Sequence, residues 1–225
     1  MTKPQIIFSV EKDPEHDIFF LKANSKPLKT PKGAEWFCWV EDLAQATLDE
    51  LKELGTQSPL YRLQSYILDN DATDTFNEIC NHFDTDLVFY EADAPVDLVA
   101  FQKQHWEPVR EWLCEALGGV PFRISHHTTL NEQPKKTHAA LKEYLYKTEV
   151  EHAAVAYFAG RLAASVCIGL AFAAKQLDAI TAHKAAMADE YYQETRYKPD
   201  ELLTKRLDEN KAKFISLQNF RDLSY

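Results

Sequence analysis

Glycine is scarce in this chain, at six residues in 225. So few leave little for the glycine-rich loops that cradle phosphates, and neither GxxxxGK[ST] nor GxGxxG occurs. A GxSxG nucleophile elbow and an HExxH metal helix are also missing. Cysteine is limited to Cys38, Cys80, Cys114 and Cys167, far apart, each among apolar or aromatic neighbours, with no CxxC. That spacing argues against a zinc site or a redox dithiol and suits reduced, packed thiols in a cytosol-like compartment.

Long hydrophobic runs are lacking too. The most apolar stretch, EHAAVAYFAGRLAASVCIGLAFAAKQLDAITAHKAAMADEYYQ from Glu151, is interrupted by Arg161 after Ala153–Gly160. A spanning helix needs roughly 20 apolar residues, and the remnant Leu162–Ala174 falls short. An arginine near the centre would cost about 2.5 to 3.5 kcal/mol on insertion, which alanines barely offset. The stretch reads as a soluble core helix, so no membrane insertion is expected. Positive charge is in deficit: 25 Lys and Arg face 35 Asp and Glu, a net charge of −10. Such a balance repels phosphate backbones and anionic lipid, and nucleic acid is not an expected partner. The start, MTKPQIIFSVEKDPEHD, has neither the apolar core of a secretory signal nor the acid-poor composition of a mitochondrial presequence. A cytoplasmic protein is expected, or a mature form already imported elsewhere.

Apolar residues make up 45% and charged residues 27%, ordinary globular values for a chain long enough to bury a core. QIIFSV, DIFFLKA and EWFCWVE read as strands, separated by an NSKP turn and the proline–glycine punctuation of KTPKG. After Glu41 the period changes. Leu43, Ala44, Ala46, Thr47, Leu48, Leu51 and Leu54 make a helical stripe that ends at Gly55. From Pro59 onward nearly everything reads as helix: PLYRLQSYILDN, TDTFNEICNHF, a long segment from Pro95 to Leu117 that Pro108 should kink or divide, then 134–148, 149–176 and 178–197. DTDLVFYEADAP is a short strand or a loop that caps the next helix, FRISHHTTL a strand or an irregular link, and the charged PDELLTKRLDENKAKFISLQNF is amphipathic. The expectation is an α+β chain, with a small β-rich domain over 1–57 and a larger helical domain over 58–225.

Candidate chemistry is thin. His126 and His127 are adjacent, so on a strand they point to opposite faces and do not readily share a metal. His82, Asp84 and Asp86 lie close together as potential ligands, but aspartates that cap helices explain the same residues. Cys114 or Cys167 would need a histidine brought beside it to act as a nucleophile, and a cysteine on an apolar helix face is ordinarily a small hydrophobe. No catalytic residue, metal site or cofactor is expected. A cysteine or metal hydrolase and a helical scaffold for another client stay open as alternatives.

The order of motifs carries more than any one of them. LKANSKPLKTPKG is similar to an extended segment with the pattern R/K-P-hydrophobic-K-T-P, with Lys29, Thr30 and Pro31 in place. LAQATLDEL and SPLYRLQSYILDN follow, and then TDLVFYEADAPVDLVAFQKQHWEPVREWL, in which Thr85, Asp86, Leu87, Tyr90, Leu98, Gln102, Trp106, Pro108 and Trp112 keep one register. DEYYQETRY closes the set with Asp189, Glu190 and Gln193. Together these resemble the assembly chaperones that bind the alpha subunit of the catalytic head (F-one sector) of ATP synthase, over about residues 18 to 201. The chain departs from the pattern at Leu51, at Ser58, and at Tyr197 and Lys198, where the family has Trp-Gly.

The resemblance implies a non-enzymatic binding protein, monomeric when free. It would hold an unassembled alpha subunit until a beta subunit displaces it, in a bacterial cytoplasm or, for a processed eukaryotic form, the mitochondrial matrix. On a helix, Asp189 and Gln193 are i and i+4 and Glu190 and Gln193 are i and i+3, so the three share a face. With the resemblance, they become the candidate contacts to basic client residues. Trp106 and Trp112, six apart, read as core before client anchor.

Overall fold

The computed structural model describes residues 6–126, 132–196 and 200–225. Two compact units form: the first takes residues up to Asp71 with Asn219–Tyr225, the second Ala72–Gln218.

The first unit is built on a short antiparallel sheet of β1 (Phe8–Lys12), β2 (Phe19–Ala23), β3 (Lys26–Pro27) and β4 (Phe37–Cys38), with β2 pairing all three others. Asn24 and Ser25, both at positive φ, make the two-residue turn between β2 and β3, a conformation Asn tolerates better than most residues. Alternation along β2 buries Phe19 and Leu21 on one face and leaves Phe20 beside Phe37 on the other. Helix α1 (Glu41–Leu54) covers the sheet, burying Leu43, Ala44, Thr47, Leu48 and Leu51. Gly55, at φ 56°, ends it.

Helix α2 (Pro59–Asp69) begins with Ser58 as N-cap: its hydroxyl accepts from Tyr61 N at 3.1 Å and donates to Glu50 Oε2 at 2.7 Å. Capping chemistry therefore explains the serine at this departure from the family pattern. Trp36 Nε1 donates to Tyr61 O and Gln64 Nε2 to Phe37 O, which ties α2 to the strands.

The second unit is helical: α3 (Ala72–Asn81), α4 (Val96–Ala116), α5 (Lys135–Tyr146), α6 (Val150–Ala163), α7 (Val166–Ala173), α8 (Ala179–Ala186), α9 (Ala188–Arg196) and α10 (Glu201–Ser224) as far as Gln218. An α+β architecture is thus as expected, but two helices differ from the sequence reading. The apolar spine over 149–176 is not one helix. Ala164 turns left-handed at φ 53°, Ser165 caps a new helix by accepting from Ile168 N, and α7 packs back on α6. Likewise 178–197 breaks at Met187 into α8 and α9. Pro108 does not divide α4, since its missing donor falls on an exposed face. No described helix is long and apolar enough to cross a membrane.

Candidate partner-binding site

Asp189 and Glu190 occupy the first turn of α9, where carboxylates suit the unpaired amides of a helix start. Their placement is fixed from α4. Buried Gln102 donates from Nε2 to Asp189 Oδ1 at 2.8 Å while its Oε1 accepts from Ala92 N at 2.8 Å. One turn on, buried Trp106 donates from Nε1 to Ala185 O at 2.9 Å and anchors the end of α8. Trp106 is core, as read. Trp112 is half-buried, edge-on to Tyr144 with ring centroids 6.5 Å apart.

Glu190 Oε1 accepts from Arg206 of α10 at 3.0 Å, and Gln193 is exposed. Asp189, Glu190 and Gln193 all line one cavity of about 610 Å³, together with Arg161, Arg206 and Lys213. The structure therefore brings the three residues read from the sequence into one cleft. It also adds three cations that sequence reasoning missed. Arg161 sat inside an apolar run, and the charge pattern of α10 gave no sign of which side faces α9.

His183 supports the cleft from behind. Asn210 Nδ2 donates to Leu162 O, so its Oδ1 accepts from His183 Nδ1 at 2.9 Å, and Nε2 accepts the Tyr191 hydroxyl at 3.0 Å. Burial holds this imidazole below its ordinary value, so the neutral form packs there.

Other motif positions serve the frame. Asp86 is buried, and its carboxylate accepts from Ser165 Oγ at 2.6 Å, Cys167 N at 2.9 Å and Val88 N at 3.1 Å. Burial outweighs these bonds and raises its pKa. Thr85 is exposed and bonds only loosely to His82 O at 3.4 Å. In the first unit, Thr30 Oγ1 donates to Asp69 Oδ1 at 2.5 Å and accepts from Ala34 N, Tyr61 donates to Lys29 O, and Pro31 stands exposed beside them.

The weighed metal cluster disperses. Asp84 turns to His138 at 2.9 Å, Asp86 caps α7, and exposed His82 lies 3.9 Å from Glu78. Among the described residues no group of three ligands could hold an ion. His126 is exposed, while His127, Tyr197 and Lys198 lie outside the described residues. The Cys167 thiol is pushed far up by burial and by the Asp86 carboxylate, which makes it a poor nucleophile. Cys38 is raised by burial to about 11.

Residues 8–114 match the family model described as ATP12 chaperone protein. That model spans a little under half of the chain, and its description agrees with the resemblance read from the sequence. The ATP12 match takes in the strands, Lys29–Pro31, Thr85–Leu87 and most of α4, and ends before Glu190. The fold is similar to Atp12 from Paracoccus denitrificans at 24% identity, with a TM-score of 0.84 over 97% of this chain and 96% of that one. A point mutant of P. denitrificans Atp12p matches at 23% identity and TM-score 0.84, over 97% and 95%. The Atu1473 protein of Agrobacterium tumefaciens matches at 25% identity and TM-score 0.84, over 96% and 83%. No curated protein sequence matches the chain. At 23 and 24% identity the likeness to the Paracoccus structures is one of fold.

Proposed function

We propose that this chain is an ATP synthase assembly chaperone. It binds the unassembled alpha subunit of the catalytic head and shields its subunit interface until the beta subunit displaces it. The observation that carries this reading is the cleft in which Asp189, Glu190 and Gln193 meet, supported by the ATP12 match over residues 8–114. Obligate interfaces bury roughly 2,000 to 5,000 Å² and resemble a core cut in half, so a lone subunit exposes a surface prone to aggregation. A cover for it needs no turnover, because the incoming subunit supplies the free energy by competition. We place the protein in the compartment where the catalytic head assembles, as a monomer without cofactor.

In this scheme Glu190 pairs with a basic client residue, setting register and on-rate more than raw affinity. The test is to capture the tagged protein gently from its host and compare wild type with Glu190→Lys. Alpha subunit enriched by wild type and lost by a folded Glu190→Lys supports both client and site. Enrichment by both moves the site elsewhere; enrichment by neither refutes the client.

A further inference from the structure

The cleft around Glu190 is not simply acidic. Arg161, at the end of α6, and Lys213, on α10, line the same 610 Å³ cavity. Neither forms an ion pair with a described carboxylate. Arg161 stacks over the Tyr157 ring, 5.7 Å from its centroid, and donates from Nη1 to the Tyr157 hydroxyl at 3.1 Å. That arrangement fixes one edge of the guanidinium and leaves its other donors free, which is how an arginine is pre-organised for a carboxylate. Lys213 is exposed, as is Arg161. Arg206, by contrast, is committed to Glu190.

In a chain of net charge −10, two cations without an ion pair to a described carboxylate line the same cleft as the α9 carboxylates and Glu209. A partner that met the α9 carboxylates with cations alone would bring its positive charge into the cavity that Arg161 and Lys213 also line. We propose that the segment docking in this cleft is mixed in charge: a basic side chain for the α9 carboxylates and, beside it, a carboxylate taken by Arg161 and Lys213. This inference rests on the client reading above and deepens it, since it specifies the chemistry of the client segment. Charge of both signs would also favour specificity, because a surface of one sign meets like charge within the cleft.

The experiment measures equilibrium binding of purified, unassembled alpha subunit to the full chain, from low to high salt, for wild type, Arg161→Gln, Lys213→Gln and Lys136→Gln. Lys136 is an exposed cation on α5 outside the cleft and controls for net charge. Arg161→Gln and Lys213→Gln are each expected to weaken binding by about three- to tenfold at low salt and to flatten its salt dependence. Lys136→Gln should follow wild type. Thermal melting verifies that the exposed substitutions leave the fold intact. If neither cleft variant changes binding, or all three change it alike, the mixed-charge reading fails while the client stands. If wild type itself does not bind, the client reading fails and takes this inference with it.

Discussion

Gly169 of α7 lies against Gly160 of α6 so closely that a Cβ on Gly169 would stand 2.6 Å from Gly160 N and 2.8 Å from its Cα, and would also collide with Ala156 O. These are backbone atoms, which cannot rotate aside. Gly169→Ala is therefore expected to destabilise the protein by about 3 kcal/mol or more, read as a fall in the denaturant midpoint. Gly160→Ala should cost less, because the nearest atom outside its own helix, Val166 Cα, is 3.1 Å away. Equal effects from the two would contradict this account.

The same contact shows where the sequence was legible and where it was not. Composition revealed an apolar spine rich in small residues. The reversal at Ala164 left no sign, since alanine is not among the residues that favour a left-handed φ. Ser165 was a readable N-cap, but the apolar run on both sides of it masked the signal. The strands around Phe8–Lys12 and Phe19–Ala23 were readable from aromatic and β-branched content. The pairing of Asp86 with Ser165, or of Arg206 with Glu190, joins residues distant in sequence and arises only from folding. Helical spacing placed Asp189, Glu190 and Gln193 on one face, and all three line the cleft.

Breaking the Glu190–Arg206 pair should hardly affect folding. Their side chains are 22% and 65% exposed, and ion pairs open to solvent contribute little. Glu190→Gln is expected to shift stability by less than about 1 kcal/mol by chemical denaturation. A larger loss would mean that Glu190 is structural and that its binding phenotype reflects misfolding.

Thr30 tests the Lys29–Pro31 motif as a frame element. Thr30→Val removes the hydroxyl that joins Asp69 Oδ1 to Ala34 N and should destabilise by about 1 to 3 kcal/mol, whereas Thr30→Ser should retain most of the stability. Thermal melts of the two variants decide it. A silent Thr30→Val would free the motif for a direct role in binding.

Acid should loosen the wall behind the cleft. Burial depresses the His183 pKa, with Lys211 pushing the same way and Asn210, Asp208 and Glu190 opposing. Below the ordinary imidazole value of about 6.5 the unfolded chain takes up a proton that the folded one resists, so stability falls as pH drops from there toward the folded pKa. His105, also depressed by burial, adds to the same slope. His183→Gln should flatten the pH dependence of the denaturation midpoint over this window. An unchanged slope would show that His183 takes no part in it.

The Asp86 knot also has a kinetic meaning. Its carboxylate reaches 79 and 81 residues along the chain to Ser165 and Cys167, at the start of an eight-residue helix. Helices that short do not persist alone, and closing so long a loop defers its contacts until much of the chain is in place. The Asp86 bonds are thus expected to form after the local packing of α7 on α6, which a two-residue link brings together. Interactions made after the barrier govern how fast a protein comes apart more than how fast it forms. Asp86→Asn is thus expected to speed unfolding of the helical unit more than it slows refolding.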